Sequence, residues 1–259
     1  MLDLLVFGPH PDDLEIGLGG TIARHTALGH RVGLCDLTVG ELASNGTPEE
    51  RLAEAEAASA VLGADWRHNL RLPDGGLAPD ADQVRPVVEL IRRWKPRVIA
   101  APHDYDRHPD HLGASRLLTR AAFMAGLRRY PHGGEPWRAE WVCYYFINDA
   151  DTPSFLVDVS RYYHVKRGAL ACHASQFSAP SGERVSTRLT SSRFRQLVES
   201  RDAQFGAAAG VAFAEGIVVR EPIVRPDLFK HREGEEGSGP GEWDALSAAE
   251  EDWPGWGRA

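Results

Sequence analysis

Cysteines are scarce in this sequence, and none of them has the spacing of a disulfide framework or a thiolate metal site. The 259 residues contain three, Cys35, Cys143 and Cys172, and no CxxC motif. An odd number at wide spacing argues against a disulfide-stapled secreted domain. Cys35 and Cys143 lie within apolar runs, where we predict small buried hydrophobic groups rather than reactive thiols.

Long hydrophobic runs and an excess of positive charge are also missing. No apolar stretch reaches membrane-spanning length, and the first ten residues, MLDLLVFGPH, lack the basic and apolar regions of a signal peptide. We therefore expect a protein of the reducing cytoplasm. The formal net charge of -8 argues against a nucleic-acid or anionic-membrane partner that is bound by bulk charge.

The negative charge is concentrated at the C-terminal end. From position 231 onward, two arginines stand against eight acidic residues, a net charge of -6 out of the total of -8. The segment HREGEEGSGPGEW is rich in Gly, Glu, Ser and Pro, which is typical of a disordered or loosely docked tail. The sequence predicts one domain over residues 1–230 and an acidic, flexible tail over 231–259.

Short apolar segments alternate with helical segments through the first two thirds of the chain. Strands are predicted at 2–8, 31–38, 66–70 and 97–101, and helices at 17–28, 48–62, 80–94 and 111–126. Strands at 141–147, 154–159 and 211–219 and helices at 161–172 and 190–205 follow. This pattern predicts an α/β fold: a mostly parallel sheet with helices on both faces and an elaborated C-terminal half.

Two clusters of histidine and aspartate follow the first and the fourth predicted strands. The stretch 8–15 reads GPHPDDLE, and the stretch 106–111 reads DRHPDH. In a doubly wound sheet of order 3-2-1-4, the first and fourth strands are neighbours, and ligand crevices form where their carboxyl ends meet. With that order assumed, the two clusters face each other across one crevice.

The two clusters together contain the donors of a catalytic metal site. A catalytic zinc ion takes three N or O ligands from the protein and keeps one position open, and His10, Asp13 and His111 can supply that set. Iron(II) could occupy the same donors. Asp12 is then beside the metal without binding it, where it can take a proton from water as general base.

His108 is the candidate that stabilises the oxyanion. It precedes His111 by three residues, so a helix that starts at Pro109 places both imidazoles on one side. We expect a protonated His108 to steady the tetrahedral oxyanion, with activity falling at high pH. Asp110 is predicted to orient the His108 ring.

Each cluster alone has a simpler interpretation. HPDD could be a turn whose aspartate caps a helix, and HPDH could be the start of a surface helix. Two clusters at two strand ends favour the metal site. A non-catalytic nucleotide-binding domain is a further alternative, but Gly17, Gly19 and Gly20 come late for a GxGxxG loop.

The two motifs resemble those of the LmbE-like, or PIG-L-like, zinc deacetylases. HPDDLE at 10–15 matches the family's H-P-D-D-x-E signature, and HPDH at 108–111 matches its second signature. The stretches at 15–21, 35–38, 44–47, 73–77, 175–177 and 214–216 resemble the branch that deacetylates N-acetylglucosaminyl-L-malate in bacillithiol biosynthesis. The resemblance covers about residues 2–228.

The resemblance implies a Rossmann-like fold and a hydrolase that removes the N-acetyl group from an amino-sugar conjugate. It implies Zn²⁺ on His10, Asp13 and His111, Asp12 as general base, His108 at the oxyanion, and often a hexamer. Another N-acetyl sugar, or the amide of a thiol conjugate, is the alternative substrate.

A malate-bearing substrate would require cations in its site. Arg51, Arg107 and the loop residue Asn45 are the predicted substrate-binding residues, because an arginine fork binds carboxylates bidentately. A solvated helix residue is the alternative interpretation of Arg51, and His173 could be structural or part of the site. Gly75 departs from the family pattern, which has arginine there, and Ala78 replaces a common aromatic residue.

Overall fold

The computed structural model describes residues 1–178, 182 and 184–224. Met1–Arg220 form one compact unit and Glu221–Ala259 a second, of which residues 221–224 are described. The predicted acidic tail at 231–259 lies outside the described residues, and the boundary at 230 stays a prediction. Within the described ranges, no helix combines the length and the hydropathy needed to cross a membrane.

Seven strands and seven α-helices are found in the described ranges. The strands are β1 (Leu4–Gly8), β2 (Val32–Asp36), β3 (Trp66–Asn69), β4 (Val98–Pro102), β5 (Trp141–Tyr145), β6 (Phe155–Asp158) and β7 (Ala214–Val219). The helices are α1 (Asp13–Ala27), α2 (Pro48–Leu62), α3 (Ala81–Trp94), α4 (Pro109–Ala125), α5 (Tyr163–Cys172), α6 (Ala174–Phe177) and α7 (Ser192–Ala209). All predicted elements are present, and α6 is an additional one.

The strands form one sheet in the order β3-β2-β1-β4-β5-β7-β6. Strands β1 to β5 run parallel to one another, whereas β7 runs antiparallel between β5 and β6. This confirms the predicted α/β class and the assumed order 3-2-1-4. The carboxyl ends of β1 and β4 are therefore adjacent, and each leads directly into one of the two motif loops.

Both faces of the sheet are covered, which explains the continuous apolar runs of its central strands. Along β1, the side chains of Leu5 and Phe7 belong to the core under α3 and α4, and those of Leu4 and Val6 belong to the core under α1, α2 and α5. The alternation follows from the two-residue period of a strand. Both motif loops therefore follow strands of a sheet that is packed on both faces.

Helix α1 begins at Asp13, four residues before the predicted start at Gly17, and Asp12 occupies the N-cap position without a side-chain hydrogen bond to the helix. The glycines of the nucleotide-binding alternative consequently lie inside the helix and not in a phosphate loop. A Cβ at Gly19 would lie 2.9 Å from Lys166 Cγ, and one at Gly20 would lie 2.6 Å from Val159 Cβ. These glycines allow close packing of α1, so the nucleotide-binding alternative is wrong on this point.

Candidate active site and metal centre

The two motif loops meet at the carboxyl ends of β1 and β4, as the strand order requires. His10 lies in the loop after β1, Asp13 opens α1, and His111 lies in the first turn of α4. All three residues are buried. One donor atom from each lies within 4.8 Å of the other two. The structure thus brings together the three residues predicted as metal ligands, although their loops are about a hundred positions apart.

The two histidine donor atoms lie close to one oxygen of the Asp13 carboxylate. Asp13 Oδ2 lies 3.0 Å from His10 Nδ1 and 3.3 Å from His111 Nε2. The same oxygen accepts a hydrogen bond from the backbone N–H of His10 at 3.0 Å. This set of two imidazole nitrogens and one carboxylate oxygen is the donor set that catalytic zinc sites use.

The remaining ring nitrogen of each histidine is held by a carboxylate. His111 Nδ1 lies 3.1 Å from Asp106 Oδ2, and His10 Nε2 lies 3.1 Å from Asp74 Oδ1. Carboxylates in this position fix the orientation of metal-binding imidazoles. Burial lowers the pKa of His111, but Asp13 and Asp106 outweigh it and raise that pKa to about 9. The same negative potential favours a bound cation, so these residues fit a divalent metal ion.

Asp12 lies beside this group, and one of its carboxylate oxygens accepts no hydrogen bond from the described residues. Its Oδ2 has no hydrogen-bond partner among the described residues and lies 3.4 Å from an Arg51 nitrogen. Its backbone φ of 130° is a strained conformation for a residue other than glycine. Burial raises the pKa of Asp12 to about 6, against the opposing charge of Arg51. A carboxylate with a pKa just below neutrality suits a general base.

His108 caps α4 and presents its ring to the same group. Its Nδ1 accepts a hydrogen bond from the backbone N–H of Asp110 at 3.2 Å, and its ring centroid lies 4.9 Å from that of His10. Burial and the neighbouring His111 and His10 rings lower the pKa of His108. A nitrogen that accepts a hydrogen bond carries no proton, so this geometry favours a neutral ring with its proton on Nε2 over the predicted protonated ring.

The Asp110 side chain has a different role from the predicted one. Its carboxylate accepts hydrogen bonds from the backbone N–H groups of Gly75, at 2.7 Å, and Leu77, at 3.1 Å, and lies 3.3 Å from His10 Nε2. The side chain therefore orients His10 and the 73–77 loop, and the backbone N–H of Asp110 is what orients the His108 ring. The reason is that Asp110 lies in the first turn of α4, where its side chain faces back toward that loop.

The three predicted substrate-binding residues differ in how they lie relative to the cavity. Arg107 lines the cavity with an exposed side chain. Arg51 also lines it, but its guanidinium is buried and donates to the carbonyl oxygens of Pro11, at 2.8 Å, and Gly40, at 3.3 Å. The structure does not bring the Asn45 amide to the cavity, because Val185 engages both ends of that amide, at 2.9 and 2.8 Å.

Several residues of the site had no distinct signal in the sequence. The cavity has a volume of about 460 Å³, and its wall includes residues that were not predicted: Leu42, Asp74, Asn148, Gln176, Arg188, Leu189 and Phe194. Gly75, the residue that departs from the family pattern, also lines it. Asp106 stands inside the DRHPDH motif and could have been found from the two-carboxylate pattern. His173 is fully buried, with Nε2 3.3 Å from Glu15 Oε2, and is not among the described residues that line the cavity.

Comparisons with known proteins agree with this geometry. The family model described as PIG-L: GlcNAc-PI de-N-acetylase matches residues 5–122. Diacetylchitobiose deacetylase of Thermococcus kodakarensis is 30% identical over 229 residues, which cover 83% of this chain and 81% of that protein. A 1D-myo-inositol 2-acetamido-2-deoxy-alpha-D-glucopyranoside deacetylase of Rhodococcus opacus is 29% identical over 69% of this chain and 83% of that protein.

A solved structure covers almost the whole described part of the chain. The crystal structure of the conserved protein TT1542 from Thermus thermophilus matches this chain with a TM-score of 0.81 and 42% sequence identity. The match covers 89% of this chain and 100% of the Thermus chain. The length of the match to the Thermococcus protein and the geometry of the site lead to the same assignment. The chain belongs to the PIG-L, or LmbE-like, family of de-N-acetylases, and it is an enzyme of the N-deacetylase class.

Proposed function

We propose that this N-deacetylase acts on an N-acetylglucosaminyl conjugate with an acidic aglycone, namely N-acetylglucosaminyl-L-malate in bacillithiol biosynthesis. The supporting observation is one cavity that contains His10, Asp13 and His111, the base Asp12 and the exposed side chain of Arg107. A guanidinium binds a carboxylate through two parallel hydrogen bonds. The malate group offers the carboxylates that a neutral saccharide lacks.

Zinc is the metal that we propose for the site. The donor set of two imidazoles and one carboxylate suits zinc, and iron(II) accepts the same ligands. When bound, the ion lowers the pKa of a water molecule and polarises the acetyl carbonyl. Asp106 and Asp74 support this assignment because each holds a ligand ring with the correct nitrogen facing Asp13.

Asp12 moves the protons of the reaction in this proposal. With a pKa of about 6 it is ionised at neutral pH, and its unpartnered Oδ2 can accept the proton of the attacking water. The new C–O bond forms while the proton passes to Asp12. The carboxyl group then returns that proton to the sugar nitrogen as the C–N bond breaks, which yields acetate and a free amine.

His108 stabilises the negative charge that develops on the carbonyl oxygen. Because its Nδ1 accepts from the Asp110 backbone, its Nε2–H is the group available to donate into the cavity. The helix cap fixes the ring before substrate arrives, so little reorganisation is needed when the charge develops. This proposal requires a neutral ring, in contrast to the expectation from the sequence.

A neutral N-acetyl saccharide is the second candidate substrate. It is supported by the names of the Thermococcus and Rhodococcus relatives, a diacetylchitobiose deacetylase and a deacetylase of an inositol glycoside. A cavity of about 460 Å³ admits a ligand of this size. The two candidates differ in one chemical respect, the negative charge of the aglycone.

The test is acetate release from N-acetylglucosaminyl-L-malate, N-acetylglucosamine and diacetylchitobiose, with the metal content measured in each sample. We expect the malate conjugate to have the highest kcat/KM, and we expect chelation to abolish all turnover until zinc is restored. Equal kcat/KM values for the charged and neutral substrates would contradict the acidic aglycone. Recovery with iron(II) but not with zinc would contradict the proposed metal.

A further inference from the structure

One wall of the active-site cavity comes from a part of the chain that none of the motifs includes. Arg188, Leu189 and Phe194 line the same cavity as His10 and Asp12. They belong to the segment 184–191 and to the first turn of α7, about eighty positions after the second motif. Arg188 is exposed, whereas Phe194 is 3% exposed. This wall therefore combines one exposed cation, Arg188, with the buried apolar ring of Phe194.

Among the charged residues that line the cavity, Arg107 and Arg188 are the exposed cations. The third arginine in the lining, Arg51, is buried against Asp12 and two backbone carbonyls. The acidic residues of the lining are also engaged: Asp13 contacts two histidines, and Asp74 accepts from the Leu42 backbone N–H at 2.9 Å. Within the described ranges, Arg188 makes no ion pair.

The segment 184–191 is held in place by contacts at both ends. The Asn45 amide donates to the carbonyl oxygen of Val185 at 2.9 Å and accepts from its N–H at 2.8 Å. Arg184 pairs with Glu50 at 2.6 Å. At the other end, Leu189 packs against the hydrophobic core that includes Phe194 and Val198, and the backbone N–H of Thr187 donates to the Thr190 hydroxyl at 2.9 Å, which closes a local turn. Arg188 lies between these contacts, so its backbone has a fixed position at the cavity.

The side chain of Arg188 is also restricted. Its Cζ lies 5.6 Å from the centre of the Phe194 ring, within the range of a cation–π contact. Phe194 is itself fixed, because it is buried and stacks on Phe177 at a centroid distance of 6.1 Å. A guanidinium on a rigid aromatic ring loses little conformational entropy when it binds an anion. These are the properties of a prepared carboxylate site.

We infer that Arg188 is a specificity-determining residue that binds a carboxylate of the substrate's aglycone, and that Asn45 is a positioning residue that holds the Arg188 segment. The inference rests on the proposed function, since it assigns the acidic aglycone of that substrate to this wall. It also gives Asn45 a role that differs from the predicted one: Asn45 acts on substrate through Val185 and Arg188, not by direct contact.

The first test is the Arg188→Met variant with the malate conjugate and with neutral N-acetylglucosamine. We expect KM for the malate conjugate to rise about 10- to 100-fold, the loss of one charge-assisted hydrogen-bonded pair, while kcat/KM for the neutral substrate stays within about twofold. Arg193→Met is the matched control, because Arg193 is exposed on the same helix turn as Phe194 but lies outside the cavity wall. An equal loss for both substrates, or no loss for either, would overturn the assignment.

The Asn45→Ala variant tests the positioning role. We expect it to raise KM for the malate conjugate and to leave kcat for the neutral substrate unchanged, which a general loss of folding would not do. Because Asn45 acts through Arg188, the double variant should be no worse than Arg188→Met alone. Additive losses would overturn the positioning role and leave that of Arg188 intact.

A binding measurement separates this inference from the proposed reaction. Calorimetry with free L-malate needs no turnover, and we expect the wild type to bind it at least tenfold more tightly than Arg188→Met. Equal binding by the two proteins overturns the inference even if the malate conjugate is hydrolysed. Selective binding without hydrolysis of that conjugate upholds Arg188 as the carboxylate residue and overturns the proposed substrate.

Discussion

Two buried ionic clusters flank helix α1, and they differ in how completely their polar atoms are paired. The Arg67 cluster, made of Glu15, Asp36, Arg67 and His173, lies under the first turn of α1, next to Asp12. The Lys166 cluster, made of Lys166, Asp202 and Glu215, contacts the same helix farther from the active site, at Gly20 and Thr21. All these charged side chains are buried.

The Lys166 cluster is saturated with hydrogen bonds. Lys166 Nζ donates to Asp202 at 2.7 Å and to Glu215 at 2.6 Å. The two Glu215 oxygens also accept the backbone N–H groups of Gly20 and Thr21, at 3.0 and 2.7 Å. Buried charges are tolerated when each one is paired in this way. The cluster ties α1 to α5, α7 and β7, and its function is structural.

The Arg67 cluster is less completely hydrogen-bonded. Arg67 itself is well paired, with bonds of 2.8 Å to both Asp36 oxygens and 2.6 Å to Glu15. In contrast, Glu15 Oε2 and His173 Nε2 lie 3.3 Å apart in an ion-pair contact without hydrogen-bond geometry, and neither His173 Nδ1 nor Asp12 Oδ2 has a hydrogen-bond partner among the described residues.

The difference shows where this fold accepts a cost in stability. A buried polar atom without a partner costs about 1–3 kcal/mol, and the strained backbone at Asp12 adds a similar amount. Both costs occur at Asp12 and the residues next to it, while the Lys166 cluster, which lies farther from the active site, avoids them. We conclude that the Lys166 cluster contributes to folding, whereas the Arg67 cluster also supports the environment of Asp12.

The largest expected effect comes from Asp12→Asn, which removes the proposed base and keeps the shape of the side chain. We expect kcat to fall by about 10²- to 10⁴-fold, with the metal content unchanged and the free energy of unfolding within about 1 kcal/mol of the wild type. Asp82→Asn is the control, since Asp82 is exposed in the first turn of α3. Loss of metal in Asp12→Asn would show that Asp12 is a ligand instead.

Lys166→Met is expected to have the largest effect on stability. It leaves the Glu215 carboxylate buried without its cation, while Asp202 keeps Arg201 at 2.9 Å, and breaking a buried pair in this way typically costs about 3–5 kcal/mol. Urea unfolding measures this loss. The control, Arg167→Met, removes an exposed pair with Glu199 at 2.9 Å and should cost less than about 1 kcal/mol. Equal losses in the two variants would contradict the structural role of the cluster.

The grouping of the three candidate metal ligands could be predicted from the sequence because their placement depends on local features. His10 and Asp13 are three residues apart in one loop, and a single assumption about strand order brings His111 to them. The short loops after parallel strands leave little freedom in where these side chains lie. The same reasoning found Asp12 and His108, whose backbone positions are helix caps.

The two clusters and the Arg188 wall could not be predicted, because their partners are distant in sequence and follow no repeating pattern. Glu15 meets Arg67 across 52 positions, and the Gly20 backbone meets Glu215 across 195. Asn45 was chosen from its loop, but its amide is bound by Val185, 140 positions away. Such pairings depend on how the helices pack on the sheet, and only the folded structure shows this packing.

Acid should weaken the Arg67 cluster in a defined pH range. Burial raises the pKa of Glu15, but Arg67 and His173 outweigh it and lower that pKa to about 2, below the usual 4.5. The stabilisation is therefore complete above about pH 4.5 and disappears as the pH falls toward 2, a loss on the order of 3 kcal/mol. Urea unfolding between pH 6 and 2 measures it. Glu15→Gln should lack this part of the pH dependence, and an unchanged profile in that variant would assign it to other carboxylates.

The smallest expected effect, that of Arg67→Lys, separates the two clusters most sharply. Lysine keeps the charge but cannot reproduce the fork that contacts both Asp36 oxygens and Glu15, so we expect a loss of about 2 kcal/mol in the free energy of unfolding. Because Glu15 and His173 lie next to Asp12, kcat should also fall, measured on folded protein at a permissive temperature. Lys166→Met should show the reverse, a larger loss of stability with kcat nearly unchanged. If the two variants lowered kcat in proportion to their stability losses, both clusters would be structural, and the unpartnered atoms near Asp12 would have no part in the chemistry.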